Sequence, residues 1–492
     1  MSKLSDIFSV YNGKYFYLVL FIGLLIMSIT IIFFDIASGI ILAGIPLLCI
    51  VLLFLFKRPY WLMIILFVMN YIIMGISRYI LSLQGGIIID ILLLTTLSIL
   101  LIQTVFFRVD YWRRANNTLT YLALIWVIYC TLEIINPHTT PELWLTSVRG
   151  IAFYLFFFVL LTLALFDRYI TLKHILILWA SLTVLAVIKA LIQKFIGFDW
   201  AESHWLFAEK GAKTHIIYSG VRYFSFFTDA ANFGCSMALS MVVFSISALY
   251  IKNKYIKVLF IIASLFSAYG MVISGTRAAL AVPFVGYTIF VIVSKRTKII
   301  IGGVILILST FVFFYFTNIG QGNAEIRRMR TAFEGSKDAS FIVRLENQKK
   351  MKEFMPSQPF GIGIGKSKHT EPEDYMYGIA TDSSLIFIWV ETGTVGLIIY
   401  LFIFLFVLVR GIYDILFRIK NEEVKGIMSA LVAGLGGMLV TAYGNEILQQ
   451  FPTGPILYMS MAFIIMGRRF DKEIENKKEN KLVMPSYRMQ NI

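Results

Sequence analysis
Charge is scarce in this chain, and so are the residues that build metal centres and disulfides. Only 15% of the 492 residues are Asp, Glu, Lys or Arg, and there are just three cysteines and five histidines. Cys49, Cys130 and Cys235 lie far apart inside apolar stretches, which excludes a disulfide framework and marks them as small core residues. No HExxH pair and no clustered His/Cys set occurs, so neither a metal nor another cofactor is expected. Long polar stretches are also missing, and with them any room for a soluble domain, an internal repeat or a low-complexity region.

What fills the chain instead is apolar sequence: 58% of residues are hydrophobic, with a mean hydropathy of +0.79. It falls in blocks near the ~20 residues that cross a bilayer as a helix. They run from 15–34 and 38–56, through 229–250, 256–273, 384–409 and 424–442, to 454–467. The first is too long for a signal-peptide core and has no cleavage-type ending, so it is expected to be retained. Lys and Arg gather in every second turn, among them Lys57-Arg58, Lys252/Lys254/Lys257, Lys295/Arg296/Lys298 and Arg468-Arg469. The expectation is an all-α polytopic membrane protein, one helical domain over 1–492 with about 14 transmembrane helices and both termini cytoplasmic. The opposite side then carries a medium periplasmic loop, 197–228, and a large one, 317–383. Mixed polar and apolar residues from Ala324 to Phe354 predict one or two amphipathic helices there, ended by the Gly/Pro-rich run Pro356 to Gly365. The basic cytoplasmic tail, 471–492, is expected to be irregular from Lys472. The net charge of +15 sits in the turns and tail, where it sets topology and touches anionic lipid, so a nucleic-acid partner is not expected.

Arginines on the outer side run against this charge bias. Arg149 opens the sixth block, Arg222 precedes the eighth, Arg277 stands in the short turn Ser274-Gly275-Thr276-Arg277, and Arg344 lies in the large loop. Guanidinium is planar, permanently charged and forked, which suits phosphate oxygens, so converging outer arginines suggest an anionic ligand such as a diphosphate. The alternative for each is a nearby carboxylate partner or snorkelling; Arg78 in particular could pair with Asp90 across the next turn. His138, His204, His215 and His369 are also outer, and only His174 is inner; a histidine could take a proton from a hydroxyl, or be a plain loop residue. Asp382, at the outer entrance of the last long apolar block, is a candidate general base or a helix N-cap. Glu391, inside that block, is a functional candidate as an intramembrane acid, or a buried partner of an arginine. Gly361-Ile362-Gly363-Ile364-Gly365-Lys366-Ser367 imitates a phosphate loop, but the spacing needs glycine where Phe360 stands. It is instead a place for close backbone approach. Glu371, Glu373 and Asp374 could attract a metal, or form a solvated acidic loop.

Four pieces, in order, resemble the O-antigen ligase and O-antigen polymerase (Wzy-type) superfamily of membrane glycosyltransferases. They are Arg222-Tyr223-Phe224-Ser225-Phe226-Phe227-Thr228-Asp229 with Ala230-Ala231-Asn232-Phe233-Gly234, then Ser274-Gly275-Thr276-Arg277-Ala278-Ala279. Arg344 upstream of Pro359-Phe360-Gly361-Ile362-Gly363 follows, then Asp382-Ser383-Ser384-Leu385 with Glu391-Thr392-Gly393-Thr394-Val395-Gly396-Leu397. The resemblance implies a multi-pass protein of a bacterial inner membrane that accepts undecaprenyl-diphosphate-linked glycan at its periplasmic face. It implies transfer of that glycan to a sugar hydroxyl without a metal. Arg222 and Arg277, with Arg344 and Arg149 behind them, would bind the diphosphate, and Asp382, His369 or Glu391 would supply the base. Ligases resemble His-Asn-Ser-x-Leu where this chain has Thr381-Asp382-Ser383-Ser384-Leu385, so the ligase histidine is out of place, with His369 twelve residues upstream of the helix entrance. That departure and the larger helix number favour a polymerase of lipid-linked repeat units, with a chain-length regulator as candidate partner. The alternatives are a ligase acting on lipid A core, or a transporter of lipid-linked glycan.

Overall fold
In the computed structural model, the described residues are 50–80, 84–209, 211–217, 220–333 and 339–487, with Gly23, Ser28 and Gly44. The chain divides into two units, Met1–Leu62 and Met63–Ile492. In the first, residues 50–57 are helical; the expected block 15–34 and most of 38–56 lie outside the described residues. The second is a helical bundle. Its helices begin with α1 (Tyr60–Tyr79), which belongs to this unit from Met63 on, followed by α2 (Gly85–Phe107), α3 (Thr118–Leu132), α4 (Pro141–Leu165) and α5 (Tyr169–Phe195). They continue with α6 (Ala230–Tyr250), α7 (Lys254–Ile273), α8 (Ala281–Ser294) and α9 (Thr297–Phe316). Last come α10 (Ala324–Arg330), α11 (Ala339–Phe354), α12 (Ser384–Phe417), α13 (Glu422–Thr441) and α14 (Thr453–Tyr487).

Among the described residues, 10 helices are long and apolar enough to cross a membrane. Ile300–Phe316 of α9 is a shorter apolar helix, and the block 454–467 is absorbed into α14, which runs on through Arg468-Arg469. The tail from Lys472 is thus helical to Tyr487 rather than irregular. Its acidic and basic residues alternate at helical spacing, as in the Glu473–Lys477 pair at 2.5 Å, which supports a helix more than a coil.

The centre of the bundle is α6 and α13, the most buried of these helices. Both are rich in small residues, which let backbones approach closely where no water drives helices together. Gly437 of α13 faces the backbone of Val282, whose carbonyl oxygen would stand 2.5 Å from an added Cβ. Gly234 of α6 receives the α7–α8 turn, with Ser274 Oγ 2.2 Å and Thr276 Cβ 2.9 Å from where a side chain would begin.

Successive helices reverse, so the connections fall into two sets. The α6–α7, α8–α9 and α12–α13 connections are short and basic. The α5–α6, α7–α8, α9–α12 and α13–α14 connections belong to the other set, and it is these that build the site.

Candidate functional site
The α5–α6 connection holds a capped helix, Trp200–Phe207, a helical turn, Ala212–His215, and a two-residue antiparallel ribbon pairing Ile216–Ile217 with Gly220–Val221. It then dives back into the bundle. The Gln193 amide, on α5, accepts from the Ser225 N–H at 2.8 Å and donates to the Ser225 carbonyl at 3.1 Å. Arg78, at the end of α1, donates to the same carbonyl at 3.1 Å and to those of Phe227 and Thr228. Its guanidinium lies over the Trp205 and Phe224 rings, 4.4 and 4.5 Å from their centroids. The pairing with Asp90 that was open to Arg78 is therefore not the one it makes. Loop carbonyls with no helical partner take the cation, and Asp90 is held by Arg149 at 2.7 Å and by the Tyr154 hydroxyl at 2.7 Å.

This stitching fixes Arg222 at the rim of a cavity of about 320 Å³. Arg222 donates to the Ser274 carbonyl at 3.3 Å, the Thr214 carbonyl at 3.1 Å and Thr276 Oγ1 at 3.1 Å. Gly275 turns in the left-handed region, φ +63, and an added Cβ would meet Arg328 at 3.1 Å and Arg222 at 3.4 Å. That turn presents Arg277, which donates to Thr331 Oγ1 at 3.3 Å. From the large loop come Arg328 on α10, whose Nε donates to the Gly275 carbonyl at 2.6 Å, and Arg344 on α11. The α11 helix is held over the cavity by Gln348, which accepts from the Tyr443 hydroxyl at 2.7 Å.

Asp382 completes the wall. It was a candidate N-cap, but Ser383 is the cap: Ser383 Oγ accepts from the Ile386 N–H at 3.3 Å and donates to the Ala442 carbonyl at 3.0 Å. Ser384 Oγ accepts from the Ile447 and Leu448 N–H groups at 2.7 and 2.9 Å. The two serines do the structural work. Asp382, at a positive φ of 26, is left exposed at the cavity. Such backbone in a non-glycine residue costs energy and persists where its surroundings impose it. Asp229 and Glu446 also line the cavity. Asp229 caps α6 by accepting from the Ala231 and Asn232 N–H groups, and Glu446 pairs with Lys368 at 2.5 Å.

Four arginines thus face three carboxylates, one of which is spent on a helix cap and another on a lysine. Burial lowers the pKa of Arg222 from its ordinary value; Asp229 opposes this, and the positive charges of Arg277 and Arg344 add to it. A multivalent anion in the cavity would relieve that mutual repulsion. His215 also lines the cavity, but as a neutral group. Its Nε2 accepts from the Ala230 N–H at 3.0 Å, so the ring proton is on Nδ1, which donates to the Gly211 carbonyl at 2.9 Å. Burial, with Arg222 and Arg78 near, pushes its pKa down to about 4.

A second, mostly apolar groove of about 380 Å³ adjoins the cavity and shares Arg277, Ala278 and Arg344 with it. Leu280 just before α8, Phe284 of α8, Phe333, Val440 of α13 and Tyr443 just after it line the groove.

Of the residues singled out from sequence, Arg222, Arg277, Arg344 and Asp382 meet in one cavity; Arg149, His369 and Glu391 stand outside it. Glu391 is wholly buried in α12 and is engaged by the Gly365 N–H and by the Ser367 N–H and hydroxyl. It is this carboxylate that the Gly-rich run wraps. Sequence reasoning passed over Arg328, although the rule applied to Arg344 covers it: both are basic residues of 317–383, the large loop expected on the outer side. Glu446, Asn445 and Gln450, from the short α13–α14 connection, carried no signal beyond their polarity.

The fold and the site define a multi-pass helical membrane protein with a cationic cavity built from four connections at one end of its bundle. Residues 262–401 match the family model described as O-antigen ligase, in agreement with the O-antigen ligase and polymerase superfamily and with a membrane glycosyltransferase type of enzyme. Arg277, Arg328, Arg344 and Asp382 fall inside that segment, and Arg222 precedes it. Compared with curated proteins, the sequence finds no match.

Proposed function
We propose that the protein polymerises lipid-linked oligosaccharide repeat units, moving undecaprenyl-diphosphate-linked glycan to a sugar hydroxyl at the periplasmic face of a bacterial inner membrane. One observation carries this reading: a cavity with four arginines adjoins an apolar groove, and Arg277 and Arg344 belong to both. A ligand that fits the pair has a strongly anionic head and a long apolar tail, which describes a polyprenyl diphosphate. In this mechanism Arg222 and Arg277 grip the diphosphate, with Arg328 and Arg344 behind them. The acceptor hydroxyl attacks the anomeric carbon and passes its proton to the Asp382 carboxylate. The carbon–oxygen bond to the diphosphate breaks with inversion, and the negative charge that grows on the leaving group is met by the guanidinium groups already in place. No metal is needed for that charge. A chain-length regulator is a candidate partner.

Purified protein supplied with undecaprenyl-diphosphate-linked repeat units, with and without a lipid A core acceptor, tests the reading. A ladder of lengthened products without lipid A core is expected. Product only when lipid A core is present would make the protein a ligase. No product at all, with substrate moved across a vesicle bilayer, would make it a transporter.

A further inference from the structure
A third cavity, of about 420 Å³, lies in the same loop region and, among the described residues, shares none with the arginine cavity. The two flank one short turn, Lys366–Lys368: Lys366 lines the third cavity, and Lys368 reaches Glu446 on the arginine side at 2.5 Å. Glu391 holds this turn from below through Ser367. The floor is preformed, since Ile362 and Met376 belong to a packed cluster with Met351, Met355 and Val390. The walls differ in kind from those of the arginine site. Phe354 and Tyr375 stack at 4.6 Å and 20°, presenting an aromatic surface of which Tyr375 is half exposed. His138, Thr370 and Glu373 also line the cavity. Among the described residues lining it, the lysine is Lys366, matched by Asp374 at 2.8 Å, whose carboxyl that lysine holds below its ordinary pKa.

With its lysine neutralised, the cavity offers no surplus positive charge to a phosphate. It offers an aromatic face together with hydroxyl, imidazole and carboxylate groups, which match the apolar CH face and the hydroxyls of a sugar ring. Its volume lies in the ~300–1,000 Å³ range of small-molecule sites. We infer that this cavity is a saccharide subsite, holding a sugar residue of the glycan away from the bond that reacts. The inference rests on the proposed function, because it is the diphosphate in the neighbouring cavity that makes a glycan the molecule to be held. The sugar could belong to the donor or to the acceptor, and the test separates them.

The probes are a phosphate-free oligosaccharide, released by mild acid from the source strain's own surface polysaccharide, and undecaprenyl diphosphate. Binding of each to the full-length protein in detergent is measured by calorimetry, for wild type, Tyr375→Ala, Glu373→Gln and Arg277→Ala. The expected result is oligosaccharide binding weakened about tenfold or more in Tyr375→Ala and Glu373→Gln, with undecaprenyl diphosphate unaffected, and the reverse in Arg277→Ala. Wild-type oligosaccharide affinity in both cavity variants overturns the subsite, as does loss of both ligands together in both of them. Wild type that binds undecaprenyl diphosphate but no oligosaccharide overturns the subsite alone; wild type that binds neither overturns the proposed function and the subsite with it. In turnover, a raised KM for the lipid-linked unit alone assigns the sugar to the donor, and for the free oligosaccharide alone to the acceptor. Unchanged KM for both is a further result against the subsite.

Discussion
Arg222 and Arg277 are held differently, and that decides what each substitution should do. Arg222 uses its fork three ways, on two carbonyls and on Thr276 Oγ1. A lysine carries its donors on a single nitrogen and cannot reach all three acceptors, so Arg222→Lys should lose activity nearly as far as Arg222→Ala, about 10²-fold by analogy with single charge-stabilising donors. Steady-state rates at matched expression check it, and wild-type activity in Arg222→Ala and Arg277→Ala would sink the diphosphate role. For the base, Asp382→Asn keeps size and shape and leaves the Ser383 cap untouched, so loss of turnover with retained undecaprenyl diphosphate binding is expected. A fully active Asp382→Asn beside a dead His369→Ala would move the role to the histidine. His215 yields a pH prediction. An unfolded histidine titrates near 6.5 and this one near 4, so the folded chain binds fewer protons between those values. The stability it contributes is complete above about pH 6.5 and is lost as pH falls through that window. Thermal unfolding in detergent between pH 7 and 4.5 should therefore decline more steeply for wild type than for His215→Gln; equal slopes would reject the buried neutral state. At this scale the sequence exposed the arginines because a charge on the wrong side of a membrane is costly. It could not reveal that His215 is neutral, because that follows from its burial beside Arg222 and Arg78, which only the folded loop brings about.

The broken helix α12 shows what a whole element adds. Gly393, at φ 69 and ψ −173, interrupts it, and the Gly-rich run docks into the break. The Ile362 N–H donates to the Val390 carbonyl at 2.9 Å, and the Val395 N–H to that of Pro359 at 3.2 Å. An added Cβ at Gly393 would stand 2.1 Å from the Pro359 oxygen. Gly393→Ala should therefore lower the melting temperature well beyond the ~1–3 kcal/mol of backbone strain alone. Gly378→Ala, at φ +71 with nothing within 4 Å, should cost only the strain; equal losses would refute the docking. Glu391 belongs to the same assembly. Its carboxylate takes three donors, and an amide would turn a donor of its own towards them. Glu391→Gln should loosen residues 361–370 in hydrogen exchange and reduce activity with it. Lost activity with unchanged exchange would point to direct chemistry instead. Local glycine spacing announced a close backbone approach here, and hydropathy announced a long helix. That the two meet at Gly393 was not legible, because hydropathy is blind to a single residue of reversed φ.

Orientation is a property of the whole molecule. One end of the bundle carries short connections with Lys252, Lys254, Lys257, Lys295, Arg296 and Lys298, and again Arg418, Lys420 and Lys425. At the other end, Arg78 and Arg149 are tied to carbonyls or a carboxylate, and Arg222, Arg277, Arg328 and Arg344 gather around one cavity. An excess of Lys and Arg in and beside short connections sets orientation, so the first end is expected to be cytoplasmic. The alternation of basic turns made this readable from sequence, whereas the convergence of four distant connections on one cavity follows only from helix packing. The test uses a chain without Cys49, Cys130 and Cys235, carrying either Tyr377→Cys, exposed in the loop expected to be periplasmic, or Lys254→Cys at the start of α7. An impermeant maleimide should label the first in intact spheroplasts and the second only after permeabilisation. The opposite pattern would turn the arginine cavity, its apolar groove and the neighbouring aromatic cavity towards the cytoplasm. A polymerase acting on glycan already carried across the membrane could not work from there, so this one labelling result bears on every role assigned to the site.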